Sequence, residues 1–456
     1  MIEQRFPRVG NVILTILGGG GFRVPLVHAA LLADREPGRV TELRLFDDDA
    51  SRLAAVAAVC AEQASGVPDA PTLSVHTTLA DAVRGTDFVF SAIRVGGLAG
   101  RTRDERVALD LGVLGQETTG PGGLAYALRT LPVALDIAER TRRLAPDAWF
   151  INFTNPAGIV TEAMQSVLGE RVIGICDSPI ALARRAIGAL GLDPAATEID
   201  YVGLNHLGWL RALRVDGTDH LPRLLDDPAA LLRLEEGRLF GPEWLHTLGA
   251  LPNEYLYYYY FTREAVASIL AAPQTRGEFL LDQQSAFYDA VARDPHEAGE
   301  LWRRVREQRD ATYMREARAE GEERDEADVA GGGYEGVALA IMAAISRGEE
   351  STMILNIRNG EALPGLPADA VVEIPCTVDR RGPRAATLAP VEGHQLGTMQ
   401  QVKAVERAVI EAATTGSADA ALRAFALHPL VDSVSTARRL LAGYRAASPE
   451  VDALLS

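Results

Sequence analysis

The segment Val12-Ile-Leu-Thr-Ile-Leu17 runs straight into Gly18-Gly-Gly-Gly21 and then into an apolar-periodic stretch to about Ala33. This order constrains the fold more than any other feature: a buried strand, a tight turn and a helix. Backbone amides at a helix N-terminus can cradle a pyrophosphate, and glycine lets the phosphate approach them. Gly18 and Gly20 fit the dinucleotide-binding pattern G-x-G-x-x-G, while its third position is Arg23. A second strand, Leu43–Phe46, ends at Asp47, 29 residues beyond Gly18, where an acid can hydrogen-bond a ribose diol. The absence of a basic residue there favours NAD over NADP. A plain turn with a helix cap at Asp47–Asp49 would explain each piece separately, but strand, turn, helix and acid stand in the order a dinucleotide site requires.

The alternation continues. Ala50–Gln63 reads as helix, Leu73–His76 and Phe88–Ala92 as strands, and Ala148–Asn152 and Val172–Ile175 as further strands, each after a helical stretch. This predicts an α/β fold with a doubly wound parallel sheet. Beyond about residue 200 the rhythm changes. Strands at Glu198–Val202 and Trp209–Val215 give way to long helical stretches over 225–345, then strands at Ile354–Ile357 and Val371–Val378, then helix over 394–447. The expected organisation is a Rossmann-like NAD-binding domain over 1–200 and a C-terminal α+β, mainly helical domain over 201–456 for substrate, metal and oligomer contacts. The charged stretch Glu316–Asp328 reads as an exposed helix or loop, and Gly331–Gly333 as a break.

The charge balance, 45 Lys and Arg against 62 Asp and Glu, is −17. That excludes a nucleic-acid or membrane-surface partner, which needs a basic footprint, but a local arginine cluster could still hold a small anion. Cys60, Cys176 and Cys376 are too few and too far apart for a disulfide framework. With no apolar window long enough to span a bilayer and no signal-like N-terminus, a cytoplasmic location is expected.

In a doubly wound sheet, ligands bind beyond the carboxyl ends of the strands. Five polar, glycine-rich stretches fall there: Arg94-Val-Gly-Gly97, Gly115–Gly123 in a long loop after it, Asn152–Gly158, Gly174–Pro179 and Gly203–Gly208. Cys176 and His206 make a plausible thiolate–imidazole pair of metal ligands that leaves positions open for substrate and water. Either alone would read as a buried small hydrophobe or a satisfied loop histidine. Arg94, between a strand end and two glycines, reads as an anion clamp. Asn155 before Pro156 reads as a helix N-cap that can also present its amide to a ligand. Glu117 reads as a positioned acid. The run Tyr255–Tyr260 is mostly packing, but a tyrosine beside a cation can have a lowered pKa and act as a base.

Together these stretches resemble the NAD- and manganese-dependent family 4 glycoside hydrolases, close to the 6-phospho-β-glucosidases. The matching text is ILGGGGFRVP, IRVGGL with RDERVAL, GVLGQETTGPGGL, INFTNPAGIVTEA, GICDSP, GLNHLGW, LPNEYLYYYY, NIRNG with VVEIPC, and HPLVDS, so the resemblance spans nearly the whole chain. It implies a lactate/malate dehydrogenase-like fold and a homodimer or homotetramer. It implies that Cys176 and His206 bind Mn2+ and that Gly18, Gly20, Gly21, Phe22, Asp47 and Arg52 hold NAD. Arg94, Asn155 and Arg276 would hold the sugar and its 6-phosphate. Tyr255 would remove the C2 proton, Glu117 would raise the basicity of that tyrosine, and Asp177 would stand where the proton donor lies.

The implied chemistry is redox-assisted elimination: hydride transfer from C3 to NAD+, deprotonation at C2, loss of the aglycone from C1, addition of water and return of the hydride. Members of the family that act on β-linked substrates more often carry Asn after the metal-binding cysteine, and α-acting members Asp. Here the residue is Asp177, while the NFTNPAG and GQETTGPGG stretches look like the β type. The alternatives within the family are a 6-phospho-α-glucosidase or a glycosidase of unphosphorylated sugars. Outside it stand an NAD-dependent hydroxy-acid dehydrogenase and a catalytically inactive NAD-binding regulator.

Overall fold

The computed structural model describes residues 11–312 and 333–456. Among these residues, thirteen strands form one sheet. They are β1 (Val12–Leu17), β2 (Val40–Phe46), β3 (Thr72–His76), β4 (Phe88–Ser91), β5 (Trp149–Asn152), β6 (Val172–Gly174), β7 (Glu198–Leu204), β8 (Leu207–Val215), β9 (Thr218–Asp219), β10 (Leu251–Pro252), β11 (Ser351–Arg358), β12 (Val371–Asp379) and β13 (Gly382–Ala385). The order β3-β2-β1-β4-β5-β6 is parallel throughout, as the alternation predicted. β1 lies at the centre because both its faces are apolar: Leu14, Ile16 and Leu17 are fully buried. Strand order reverses between β1 and β4, and the crevice at such a switch point is where ligands bind.

Past β6 the sheet continues with antiparallel strands in the order β6-β11-β12-β7-β8-β10. Residue 200, the domain boundary expected from the sequence, lies inside β7. One level runs across the junction: Gly174 pairs with Asn356, Asn356 with Glu373, and Glu373 with Gly203. Helices cover both faces. One core layer sets Val24, Val27 and Leu31 of the helix Val24–Ala33 with the strands and with Ile341 and Met399. The other sets Leu128 and Ile137 of the helix Pro121–Leu144 with Val405 and Val409 of Gly393–Thr415.

Three local expectations are corrected. The stretch after Arg94 is no long loop, because Gly97–Leu109 is a helix. It buries Arg101, Asp104 and Glu105, so it shows no apolar stripe in the sequence. Residues 221–248 form short helices broken by Pro228, Gly241 and Pro242, not long ones. Asn155 does not cap the helix Ala157–Leu168; Pro156 holds the cap position, after a cis Asn155–Pro156 bond. The stretch Glu316–Asp328 lies outside the described residues. Among those described, no helix is long and apolar enough to cross a membrane.

Candidate active site

A cavity of about 840 Å3 opens over the carboxyl ends of the parallel strands. Of the residues to which the sequence assigns a catalytic, cofactor, substrate or metal role, all line it except Gly20. Gly18 turns with φ +80°, and a Cβ there would sit 2.7 Å from the Ala92 carbonyl oxygen, so only glycine lets β1 turn against the end of β4. Gly20 instead holds Asp47: its amide donates to Asp47 Oδ2 at 2.8 Å. Burial raises the Asp47 carboxyl pKa, against the amides of Asp49 and Gly20 that lower it. The cap of the next helix is Asp49, which accepts from the Ser51 and Arg52 amides.

The far wall of this turn comes from distant helices that sequence reading missed. Tyr288 donates to the Gly20 carbonyl at 2.7 Å, and the Arg52 guanidinium lies 4.4 Å from the Tyr288 ring centroid. Phe22 meets Phe287 edge-on at 5.3 Å, and its carbonyl accepts from the Trp302 indole at 2.8 Å. These partners lie more than 230 residues away along the chain, so no local pattern marks them.

Beside the turn stands a charge cluster. Glu117 pairs with Arg94 at 2.7 Å and Arg101 at 2.9 Å, and Arg101 also holds Glu105. Burial alone would raise the Glu117 pKa, but Arg101 and Arg94 bring it down to about 2. Arg94 is therefore already engaged by a carboxylate. Arg276 opens the helix Arg276–Arg293 and donates to the Arg309 carbonyl at 2.9 Å. Arg309, which sequence reading missed, also lines the cavity, 5.9 Å from the Phe22 ring centroid. Burial, with Arg23 and Arg276 close by, disfavours its charge. An anionic ligand would relieve that repulsion.

Glu117→Gln should cost about 1–3 kcal/mol at pH 7. This is less than the roughly 3–5 kcal/mol of a fully buried pair, because the Glu117 side chain is 20% exposed. A depressed folded pKa gives stability that is complete above the ordinary glutamate value near 4.5 and is lost as pH falls toward about 2. Melting curves of wild type and variant should thus converge over that window. A gap of constant size down to pH 2 would refute the assignment.

Across the cavity, Cys176 follows β6 and His206 sits in the turn between β7 and β8 with φ +64°. His206 Nδ1 lies 3.0 Å from the Thr118 hydroxyl, and burial pulls its pKa down to about 3, so the ring is neutral and Nε2 can offer a lone pair. The Tyr255 ring stacks on this imidazole, with centroids 3.7 Å apart and planes 12° from parallel. Of the tyrosine run, Tyr255 and Tyr258 line the cavity. Asp177 heads the helix Ser178–Leu190 without a capping hydrogen bond from its side chain, which leaves the carboxylate to the cavity.

Among the described residues, no three His, Cys, Asp or Glu gather as a metal-binding group. The donor chemistry nonetheless suits a cation. Burial, then the Glu373 and Asp177 carboxylates, push the Cys176 thiol well above its usual range. A divalent cation held by Cys176 and neutral His206 would reverse that by balancing the surrounding negative charge.

Two family models match the chain: family 4 glycosyl hydrolase over residues 13–192, and the family 4 glycosyl hydrolase C-terminal domain over 201–431. The chain is 32% identical over 448 residues to a protein of Bacillus subtilis described as a probable 6-phospho-beta-glucosidase, covering 95% of each. It is 30% identical over 453 residues to a maltose-6'-phosphate glucosidase of the same organism, covering 94% of each. Among solved structures, the 6-phospho-beta glucosidase of Thermotoga maritima with manganese, NAD+ and glucose-6-phosphate superposes with a TM-score of 0.79 at 27% identity, over 96% of this chain and 99% of that one. A lactate dehydrogenase of Eimeria maxima shares the fold alone, at 10% identity, a TM-score of 0.52, and 90% and 97% coverage.

Proposed function

Because this chain belongs to the family 4 glycosyl hydrolases, we propose that it hydrolyses 6-phospho-β-glucosides with the help of bound NAD and a divalent cation, Mn2+ in the first instance. The observation that carries the reading is the single cavity. It gathers the glycine turn with Asp47, the thiol and imidazole of Cys176 and His206, the stacked Tyr255, and Arg309, buried beside Arg23 and Arg276.

In this reading the amides of the glycine turn and Asp47 hold the dinucleotide. Arg276 and Arg309 take the sugar phosphate, and Asn155 and Arg94 line the sugar's position, with Arg94 fixed by Glu117. When bound, NAD+ supplies reversible hydride acceptance at C3, which acidifies the C2 proton, and the cation supplies positive charge against the developing oxyanion. Tyr255 removes the C2 proton, since a phenol beside a cation has a lowered pKa. Glu117 stays ionised and opposes excess positive charge around the tyrosine. Asp177 gives its proton to the departing glycosidic oxygen. Water then adds at C1, and a proton returns to C2. The protein acts, in this reading, as a homodimer or homotetramer.

A second reading, the α anomer, is favoured by one residue. Asp177 follows Cys176, where α-acting members more often carry Asp, and the maltose-6'-phosphate glucosidase is a relative of similar identity. The test is direct. With NAD+, Mn2+ and a reductant, the protein should release p-nitrophenol from p-nitrophenyl 6-phospho-β-glucoside. The α anomer and the unphosphorylated β-glucoside, run alongside, assign anomer and phosphate requirement. No release from any of the three would sink the glycosidase reading. NADH accumulating on a hydroxy acid would favour a dehydrogenase.

A further inference from the structure

The motifs NIRNG and VVEIPC take no part in the mechanism above, yet they meet beneath its cation site. Asn356 of the first and Glu373 of the second face each other across β11 and β12. Glu373 is 1% exposed. Its carboxylate accepts from Asn356 Nδ2 at 2.9 Å, Tyr201 Oη at 3.1 Å and Asn205 Nδ2 at 3.2 Å. Among the described residues none of these partners is cationic, which is costly for a buried carboxylate unless a positive charge lies nearby.

The row Gly174–Asn356–Glu373–Gly203 joins the strands that carry the two proposed ligands. Cys176 lies two residues past Gly174, and His206 three past Gly203. The glycines of GLNHLG make the arrangement possible. A Cβ at Gly208 would lie 2.1 Å from the Tyr201 hydroxyl that bonds Glu373, and one at Gly203 would lie 2.5 Å from Gly208 Cα. Asn205 is the residue before His206, so its bond to Glu373 ties down the turn that aims the imidazole.

We propose that Glu373 is a positioning residue for the cation: it anchors the His206 turn through Asn205 and sets a buried negative charge behind Cys176 and His206. The proposal rests on the cation site of the preceding subsection. Outer carboxylates of this kind typically change metal affinity by about 10- to 100-fold when removed.

The test measures Mn2+ and NAD+ affinities by titration calorimetry, with apo melting temperature and the visible spectrum of the Co2+-loaded protein alongside. Glu373→Gln keeps the shape and removes the charge. It should weaken Mn2+ binding by about 10- to 100-fold and leave NAD+ affinity within about 2-fold. Asn205→Ala keeps the charge and cuts the tie, and should shift the Co2+ bands; it also serves if Glu373→Gln does not fold. Wild-type Mn2+ affinity in Glu373→Gln, with an unshifted Co2+ spectrum in Asn205→Ala, would overturn the proposal. So would a joint fall in melting temperature and both affinities, which marks a purely structural role. Wild-type protein that binds no Mn2+ would refute the cation site itself.

Discussion

Tyr255→Phe is expected to lower turnover by about 10^2- to 10^4-fold, the usual worth of a positioned proton-transfer group. Mn2+ and NAD+ affinities should stay close to wild type. Phenylalanine keeps the ring that stacks on His206 at 3.7 Å, so the imidazole keeps its support and only the hydroxyl is lost. The diagnostic measurement is exchange of the C2 proton with D2O solvent, followed by NMR on the sugar phosphate. It should vanish in Tyr255→Phe and persist in Tyr258→Phe, the other tyrosine of the run that faces the cavity. Exchange lost in Tyr258→Phe and kept in Tyr255→Phe would move the base one helical turn along.

Cys176→Ser should be at least as damaging. Charge stabilisation by a catalytic metal is worth several kcal/mol, so a loss of roughly 10^3-fold or more in turnover is expected. The serine hydroxyl is nearly isosteric with the thiol but a far poorer ligand for a soft thiolate position. Metal content after desalting should fall with activity, while NAD+ binding persists, because the glycine turn and Asp47 stand on β1 and β2 and are built without Cys176. A Cys176→Ser protein that retains both Mn2+ and turnover would refute the ligand role.

The strand, glycine turn and acid at the start of the sheet were legible because their signals are local. Val12–Leu17, the glycines and Asp47 interact through adjacent parallel strands, and each piece carries its own pattern. The mouths of the later strands were legible for the same reason. Gly97–Leu109 was not, since a helix that buries Arg101, Asp104 and Glu105 against other charges has no apolar periodicity to detect. Tyr288, Trp302 and Arg309 were invisible for a different reason. Arg309 lines the cavity while Tyr288 and Trp302 brace its glycine turn from helices more than 230 residues away in sequence, and nothing in their neighbourhood distinguishes them from packing residues. Glu373 fell between these cases: its motif was noticed, but a lone acid in an apolar strand gains meaning only from Tyr201, Asn205 and Asn356 across three strands. Of the tyrosine run, sequence could not tell which rings face inward; the segment is continuously helical from Glu254, so Tyr255 and Tyr258, three apart, both line the cavity while Tyr260 accepts from the Trp209 indole.

The pairing of Gly174 with Asn356 is the one register contact by which β6 meets β11. On one side of that seam lie parallel strands whose order is that of a nucleotide fold; on the other lies an antiparallel wing that carries the imidazole. The proposed cation would have to be gripped from both sides at once. Loading it would act as a rivet across the seam, so the two halves of the sheet would share one melting transition when it is present. The parallel strands and the antiparallel wing would then be mechanically one body, coupled through backbone pairing and not through a hinge.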